Sequence, residues 1–212
     1  MAEPDLTGTI INKYRVESII GRGGMAVVYR AVHDEIRRVV AIKVLTTDTG
    51  HRIKTEARAV NIARHRSVVE IYDVDRLEDG TPYVVMEYVE GKTLLDHLRA
   101  AGGRLPIIVA LRICRRLAET MAAVHKDGVF HRDLKPANVM LVSGGDPEDP
   151  ELKILDFGLA KVFSPQSVTE TDPVTEPGQL LMTPVYAAPE QYHGSNAPTP
   201  QADVYALGVI LF

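Results

Sequence analysis

The chain has 212 residues, 45% hydrophobic and 25% charged, which is ordinary for one large globular domain or two small lobes. Its net charge of −4 provides no broad positive field, so nucleic-acid binding driven by phosphate contacts is not expected. The chain has one cysteine, Cys114, so it cannot form an internal disulfide, which fits a reducing compartment. The N-terminus lacks a signal-peptide pattern. The longest apolar run, 204–212, is shorter than the roughly 20 residues that a membrane span needs.

From Tyr14 to about Val89 the sequence predicts mainly strands. Residues 51–65 indicate a helix instead, because Ile53, Ala57 and Val60 recur at helical spacing. The predicted strands are rich in β-branched and aromatic residues. They are "YRVESII" (14–20), "AVVYRAV" (26–32), "RVVAIKVL" (38–45), "VVEIYDV" (68–74) and "PYVVMEYV" (82–89).

After Gly91 the hydrophobic period becomes helical. Helices are predicted at 93–102, at 106–126 and from the capping residue Thr199 to the end, where Val204, Leu207, Gly208 and Leu211 form a stripe. The long central helix carries Cys114 on its apolar stripe, as an ordinary core residue. Two short strands, "VMLV" and "LKIL", precede a loop predicted at 161–182.

Two features of the strand-rich part have a structural and a functional interpretation. The glycine-rich stretch "IIGRGGMAVV" (19–28) lies between two strands, where it is either an ordinary hairpin turn or a turn whose backbone N–H groups cover phosphates. Lys43 interrupts an apolar strand. It is either a solvated residue of an edge strand, or it pairs with Glu56 on the following helix and with a ligand phosphate.

The stretch "HRDLKPANVML" (131–141) places an acid, two bases and an amide within a short turn, and "ILDFGLA" (154–160) places an aspartate after a strand. Oxygen ligands such as those of Asn138 and Asp156 suit Mg²⁺ together with phosphate oxygens. The alternative for each residue alone is an ordinary turn residue.

These stretches occur in the order of the protein kinase motif set. With "AIK", Glu56 and "APE" (188–190), the chain resembles the eukaryotic-type protein kinase family, and "GGM" and "APEQ" are most similar to bacterial serine/threonine kinases. The resemblance implies an α+β, bilobal kinase-like fold with a small β-rich N-lobe and a larger, mostly helical C-lobe. It implies a kinase domain over 14–212, with an N-lobe at 14–88, a hinge at 87–92, a partial C-lobe at 92–212 and an N-terminal extension at 1–13.

The resemblance also implies roles for the polar residues. Asp133 accepts the proton of the substrate hydroxyl, Lys135 neutralises the transferred phosphoryl group, and Lys43, fixed by Glu56, holds the α- and β-phosphates. Asn138 and Asp156 bind Mg²⁺, with Mn²⁺ as an alternative. The implied ATP site also includes Ile20, Gly21, Arg22, Gly23, Gly24, Met25, Ala26, Val27, Val28, Ala41, Met86 as gatekeeper, Glu87, Val89 and Met140.

The resemblance further implies control by phosphorylation, because Arg132 precedes the catalytic aspartate. The candidate acceptors are Thr169, Thr171 and Thr175, and Thr183 matches the threonine that contacts the catalytic pair. The expected partners are protein substrates with Ser or Thr, and a second copy of the chain for phosphorylation in trans. The expected location is cytoplasmic, with a membrane anchor beyond Phe212 as an option.

The sequence departs from the family pattern at several positions. Ala26 replaces the third glycine, which predicts a modest loss of loop freedom, and Met182 replaces a glycine, which predicts altered substrate docking. The last helix resembles the central C-lobe helix, with Asp203 at its buried aspartate. The chain stops in this helix, which leaves Glu190 without its usual arginine and 204–212 partly uncovered, and this predicts a truncated C-lobe of reduced stability. The truncation keeps two alternatives open: a nucleotide-binding regulatory module or inactive kinase fragment, and a scaffold without nucleotide.

Overall fold

The computed structural model describes residues 5–24, 26–45, 65–157, 184–192 and 199–212. The helix expected at 51–65 and the loop expected at 161–182 therefore fall almost wholly outside the described residues. The chain divides into two compact units, Met1–Asn61 with Val69–Val89 and Ile62–Val68 with Glu90–Phe212. Across the described ranges, none of the helices combines the length and apolarity that crossing a bilayer requires.

The first unit contains a six-stranded antiparallel sheet with the order β1-β2-β3-β4-β6-β5. Its central strands are rich in Val, Ile and Ala, as expected for strands with neighbours on both sides. The strands predicted from the sequence are confirmed, although the fourth begins at Ile71 and not at Val68. The bounds are β1 Ile10–Ile11, β2 Tyr14–Gly23, β3 Ala26–His33, β4 Val39–Leu45, β5 Ile71–Arg76 and β6 Pro82–Glu87.

The hydrophobic core of the first unit lies on one face of this sheet. Tyr29 pairs with Ile42, and Ile42 pairs with Val85, so these three side chains form one row across three strands. All three are buried, with exposures of 1% or less. Because side chains alternate along a strand, the residues next to them point to the opposite face. That second face carries Lys43 in the next row.

The N-terminal segment also joins this sheet. Ile11 in β1 pairs with Tyr14 and is 5% exposed, and Leu6 packs against the same core. The N–H of Gly8 donates to the carbonyl oxygen of Val16 at 3.0 Å. The sequence patterns do not predict β1, because a two-residue strand has no period of its own.

The second unit contains four helices among its described residues and a three-stranded sheet with the order β7-β8-β9. The predicted helices and the strands at 139–142 and 152–155 are confirmed to within two residues, whereas β7 is not predicted. The segment 65–68 joins this unit because Val68 bridges Ile154. The bounds are α1 Leu94–Ala100, α2 Ile107–Lys126, α3 Pro189–Tyr192, α4 Pro200–Leu211, β7 Gly91–Thr93, β8 Val139–Val142 and β9 Leu152–Ile154.

Helix α2 forms the centre of the second core. Its buried stripe includes Cys114, Leu117, Met121 and Val124, so the prediction that Cys114 is a core residue is confirmed. Burial raises the pKa of the Cys114 thiol, which keeps it protonated. After the helix ends, Gly128 adopts a φ of +73°, the left-handed conformation that commonly stops a helix.

Helix α4 buries a different face from the predicted stripe. Val204 is 63% exposed and Leu211 46% exposed, whereas Ala202, Asp203 and Ala206 are buried. Helix α4 contacts α2. The carboxylate of Asp203 is buried because it accepts hydrogen bonds from the N–H groups of His131 and Arg132. The predicted apolar stripe is therefore not the buried face of α4, whereas the burial of Asp203 and the partial exposure of 204–212 agree with the sequence-based expectations.

An acidic loop between β8 and β9 is held against α2 by arginines. The guanidinium of Arg116 forms a two-point contact with the carboxylate of Asp149, with distances of 3.2 and 2.8 Å. This hydrogen-bonded pair lowers the pKa of Asp149 and raises that of Arg116. Arg112 donates to the carbonyl oxygen of Glu148 at 2.8 Å.

Candidate active site

The sheet of the first unit gathers several candidate nucleotide-binding residues on the face opposite its core. Val28 pairs with Lys43, and Ala41 pairs with Met86 in the next row. Ala41 and Met86 are 6% and 7% exposed, while Lys43 is half-buried. Strand β4 lies between β3 and β6, so the edge-strand interpretation of Lys43 is wrong. An ammonium group thus projects from a central strand, beside apolar side chains.

The glycine-rich stretch forms the hairpin between β2 and β3. Gly21 pairs with Val28 and Gly23 with Ala26, after a register shift that follows Ile19. Ala26 also pairs with Leu45 in ordinary extended backbone, so a methyl group is accommodated at this position without strain. Among the other candidates on this hairpin, Ile20 and Arg22 are exposed, Gly24 lies in the turn, Met25 is outside the described residues, and Val27 belongs to the core face.

The end of β6 is fixed by hydrogen bonds to the segment before β5. The N–H of Glu87 donates to the carbonyl oxygen of Glu70 at 2.9 Å, and the N–H of Glu70 donates to Glu87 Oε2 at 3.3 Å. The ring of Tyr88 lies 5.5 Å from the guanidinium carbon of Arg30. Val89 is the last residue of the first unit.

In the second unit, three candidate residues of "HRDLKPAN" form one hydrogen-bonded cluster: Asp133, Lys135 and Asn138. Lys135 Nζ donates to Asp133 Oδ2 at 2.7 Å, and the Asn138 amide donates to the Asp133 carbonyl oxygen at 2.8 Å and approaches Oδ2 at 3.4 Å. The side chains of Asp133 and Lys135 are about one-fifth exposed, at 20% and 21%. The carboxylate is therefore held by a cation while remaining accessible to a ligand.

The turn Pro136–Asn138 gives this cluster its shape. Pro136 begins a 3₁₀ turn with its φ already restricted, and the N–H of Asn138 closes the turn on the carbonyl oxygen of Lys135 at 2.9 Å. The carbonyl oxygen of Asn138 then accepts from the N–H of Leu155 at 2.8 Å. This last bond ties the Asp133 cluster to the residue just before Asp156.

His131 makes a second connection between the same two segments. Its imidazole is completely buried, and Nε2 lies 2.8 Å from the carbonyl oxygen of Leu155. Since a carbonyl oxygen only accepts, Nε2 carries the hydrogen, and Nδ1 accepts from the N–H of Asp133 at 3.3 Å. The ring also packs on Phe157 at 4.8 Å between centroids. His131 therefore positions Asp133 and the 155–157 segment together.

Asp203 on α4 holds the start of the segment 131–138. Its carboxylate is 1% exposed and accepts from the N–H groups of His131 at 2.8 Å and Arg132 at 2.7 Å. His125 Nε2 lies 2.8 Å from the same carboxylate. Arg132 has a φ of +67°, which is rare for a residue with a long side chain and persists only where the surroundings hold it.

The residues proposed to hold a metal offer oxygen ligands suited to Mg²⁺. Because Nδ2 of Asn138 is occupied by Asp133, Oδ1 is the atom it could offer to a cation. Asp156 is half-buried and has a φ of +59°. It directly follows Leu155, whose N–H and carbonyl oxygen are both hydrogen-bonded. Within the ranges that the structure describes, no group of three or more His, Cys, Asp or Glu residues is arranged to hold a metal. The donor set fits a hard cation that takes further oxygens from phosphate and water.

Several candidate residues fall outside the described ranges. They are Glu56, Thr169, Thr171, Thr175 and Thr183. Of the other candidates, Met140 is half-buried in β8 and Glu190 is half-buried in α3. Arg132 Nε is buried and has no hydrogen-bond partner within the part of the chain that the structure describes.

The structure also reveals supporting residues that the sequence patterns do not assign to the site. His131 contacts Leu155, 24 positions away, and His125 contacts Asp203, 78 positions away. A local sequence pattern cannot predict contacts over such distances along the chain. The burial of Asp203 was expected from the family resemblance, whereas its hydrogen bonds to the segment 131–132 were not predicted.

Residues 14–212 match the protein kinase domain family. The chain is 37% identical over 209 residues to serine/threonine-protein kinase PrkC of Bacillus subtilis, with 96% of this chain and 30% of that protein covered. It is 34% identical over 217 residues to serine/threonine-protein kinase PknA of Mycobacterium tuberculosis, with 98% and 47% covered. The chain thus spans less than half the length of these relatives.

A solved structure gives the same result for the fold. The crystal structure of the Mycobacterium tuberculosis PknI kinase domain is 26% identical to this chain and superposes with a TM-score of 0.72, covering 96% of this chain and 74% of that one. The predicted α+β protein-kinase-like fold is confirmed by this likeness. Together with the match over 14–212, these findings establish that the chain belongs to the protein kinase domain family.

Proposed function

We propose that this protein is a serine/threonine protein kinase that transfers the γ-phosphoryl group of Mg-ATP to protein hydroxyl groups. The observation that carries the proposal is the cluster in which Lys135 and Asn138 both contact Asp133, with Lys135 Nζ at 2.7 Å from the carboxylate. Phosphoryl transfer needs positioning and charge neutralisation more than covalent chemistry, and this cluster offers both.

Asp133 and Lys135 have complementary roles in this reaction. The carboxylate of Asp133 orients the substrate hydroxyl and receives its proton as the oxygen attacks the γ-phosphorus. The bond from that phosphorus to the bridging oxygen breaks, and ADP leaves. The ammonium group of Lys135 lies beside the carboxylate, where it offsets the negative charge of the transferred group.

The face of the sheet that carries Lys43, together with the family resemblance, supports the nucleotide roles proposed for residues of the first unit. Lys43 contacts the α- and β-phosphates and Glu56 pairs with it. Met86 is the gatekeeper, and the backbone of Glu87 and Val89 binds the purine edge. The hairpin backbone of Gly21, Gly23 and Gly24 covers the phosphates. The remaining candidates of the first unit are Ile20, Arg22, Met25, Ala26, Val28 and Ala41. The side chain of Val27 is excluded because it packs in the core on the opposite face of the sheet. Met140 lies in β8 of the second unit and stays a prediction.

Asn138 and Asp156 would hold Mg²⁺, for which Mn²⁺ could substitute. The ion supplies positive charge to the phosphate oxygens. The protein itself contributes the geometry. The carbonyl oxygen of Asp133 fixes the amide of Asn138, and the N–H and the carbonyl oxygen of Leu155, just before Asp156, are both hydrogen-bonded. The amide of Asn138 and the backbone that leads into Asp156 are therefore pre-positioned by bonds within the second unit.

Arg132 supports a proposal for regulation. Its buried Nε lacks a hydrogen-bond partner among the described residues, and a phosphothreonine would supply strong acceptor oxygens. The candidate acceptors are Thr169, Thr171 and Thr175, modified in trans by a second copy of the kinase, while Thr183 contacts the catalytic pair. Mass spectrometry of active protein should find phosphate within 164–183, and an active preparation with none there would contradict this regulation.

Phosphate transfer from γ-labelled ATP tests the function. The protein, Mg²⁺ and labelled ATP are incubated with casein, and the labelled amino acids are identified after hydrolysis. Label on serine or threonine supports the kinase, and label on tyrosine contradicts the specificity. Thermal stabilisation by ATP without label would favour the alternative, a nucleotide-binding regulatory module. The proposed location is the cytoplasm, with attachment to a membrane through a further segment as a second option.

A further inference from the structure

The side chain of Gln191 joins two backbone segments of the second unit. Its Oε1 accepts a hydrogen bond from the N–H of Ala188 at 2.8 Å, and its Nε2 donates one to the carbonyl oxygen of Arg132 at 3.0 Å. Gln191 is half-buried, and Arg132 lies 59 positions earlier in the chain. Both ends of one amide are therefore engaged, and none of the roles proposed above uses either contact.

The contact with Ala188 is accounted for by helix capping. Ala188 directly precedes α3, and the N–H of Gln191 donates to the carbonyl oxygen of Ala188 at 2.9 Å. A Gln or Glu at the third helical position commonly reaches back to the N–H of the capping residue. Glutamate would serve this purpose as well, because only an acceptor is needed. Capping therefore leaves the donor end of Gln191 unexplained.

The donor end fixes the peptide unit that leads into Asp133. The carbonyl oxygen of Arg132 and the N–H of Asp133 belong to the same peptide plane, so a bond to that oxygen restrains the plane from which Asp133 continues. Arg132 itself has a φ of +67°, and its N–H is held by Asp203 at 2.7 Å. Asp203 thus binds the N–H of Arg132 and Gln191 binds its carbonyl oxygen, so both backbone groups of this residue in an uncommon conformation are hydrogen-bonded.

We infer that Gln191 is a positioning residue for phosphoryl transfer, which orients Asp133 through the Arg132 carbonyl group and couples it to the segment 184–188. The inference rests on the proposed kinase function. Gln191 lies in the second unit, and neither of its two hydrogen-bond partners, Ala188 and Arg132, is assigned to the nucleotide. Its removal should therefore lower the rate of transfer and leave ATP affinity unchanged.

The Gln191→Glu substitution isolates the donor contact. A glutamate of the same length keeps the acceptor for Ala188, but its second oxygen faces the Arg132 carbonyl oxygen and cannot donate when ionised. We expect transfer to casein, expressed per ATP-binding molecule, to fall at least tenfold, with the ATP dissociation constant within twofold of wild type. The matched control is Gln201→Glu, because Gln201 is exposed in the first turn of α4. That variant should transfer phosphate at the wild-type rate.

A second variant, Gln191→Met, removes both contacts without adding a charge. It should show the same loss of transfer per ATP-binding molecule, together with a lower melting temperature from the lost cap. A Gln191→Glu variant as active as Gln201→Glu would overturn the inference while leaving the kinase function intact. Failure of both Gln191 variants to give ATP-binding protein would show a purely structural role and would also overturn it. An inert wild-type protein would overturn the proposed function, and the inference with it.

Discussion

Arg132 and Asp203 are 71 positions apart, and yet Asp203 Oδ1 accepts a hydrogen bond from the N–H of Arg132 at 2.7 Å. The other carboxylate oxygen accepts from the N–H of His131 and lies 2.8 Å from His125 Nε2. One buried carboxylate on α4 therefore holds two consecutive backbone donors, just before the proposed catalytic residue Asp133. A loop with this support can keep the uncommon conformation of Arg132 before any ligand arrives.

Asp203→Asn should weaken both stability and transfer. Asparagine keeps the shape of the side chain, but its NH₂ group replaces one acceptor oxygen and leaves a buried N–H unsatisfied. Each such group costs about 1–3 kcal/mol, so the free energy of unfolding measured in urea should fall by that amount. Transfer per ATP-binding molecule should also fall. The control is Asp127→Asn, since Asp127 is exposed after α2. Equal stability of the two variants would contradict this role for Asp203.

Gly91→Ala should destabilise the second unit. A Cβ at residue 91 would lie 2.1 Å from the carbonyl oxygen of Leu141, which belongs to the backbone of β8 and cannot rotate away. The strand pair must separate, with a cost of about 1–3 kcal/mol from overpacking. Gly208→Ala is the matched control, because a Cβ there meets no atom within 4 Å and the residue is helical. It should be neutral or stabilising, and a similar loss in both variants would be inconsistent with a close approach at Gly91.

The pair of Arg116 and Asp149 predicts a dependence of stability on pH. The hydrogen-bonded Arg116 lowers the pKa of Asp149 below its usual value of about 3.9. A carboxyl group whose pKa is lower in the folded state stabilises the fold above the unfolded value and loses this contribution as pH falls through the folded value. Asp149→Asn should therefore melt at a lower temperature than wild type at pH 7.

The difference in melting temperature between the Asp149→Asn variant and wild type should shrink below about pH 3.9, as Asp149 in wild type becomes protonated. Asp146→Asn provides the control, since Asp146 lies on the same loop and is exposed. A difference that stays constant from pH 7 to pH 3 would count against the ion pair as its source.

Most helices and strands could be predicted from the sequence because their apolar residues recur at clear helical or strand spacing. The apolar stripe of α2 and the β-branched runs of β3 and β4 are local patterns, and the structure confirms them. The short strands β1 and β7 were not predictable in this way. Their two and three residues are strands only because β2 and β8 pair with them. Likewise, the apolar stripe of α4 did not identify its buried face, which consists of Ala202, Asp203 and Ala206; only the burial of Asp203 was expected, from the family resemblance.

The same distinction applies to the site. Asp133, Lys135 and Asn138 lie within one turn, so their grouping was visible in the sequence, and the hydrogen bonds bring them together. Gln191 and His131 act on backbone groups far away in the chain, where side-chain spacing carries no signal. The sequence thus identifies groups that would touch a substrate more readily than the residues that hold those groups in place.

Phosphoryl transfer by the Asp133→Asn variant, measured together with ATP affinity in the same preparation, is the most direct test of the proposed activity. Asparagine cannot receive the hydroxyl proton, so the rate of transfer from γ-labelled ATP to casein should fall by about 100-fold or more. The ATP dissociation constant should stay within threefold of wild type, and Asp127→Asn should transfer at the wild-type rate. A wild-type rate in Asp133→Asn would contradict the assignment of Asp133 as the residue that activates the acceptor hydroxyl.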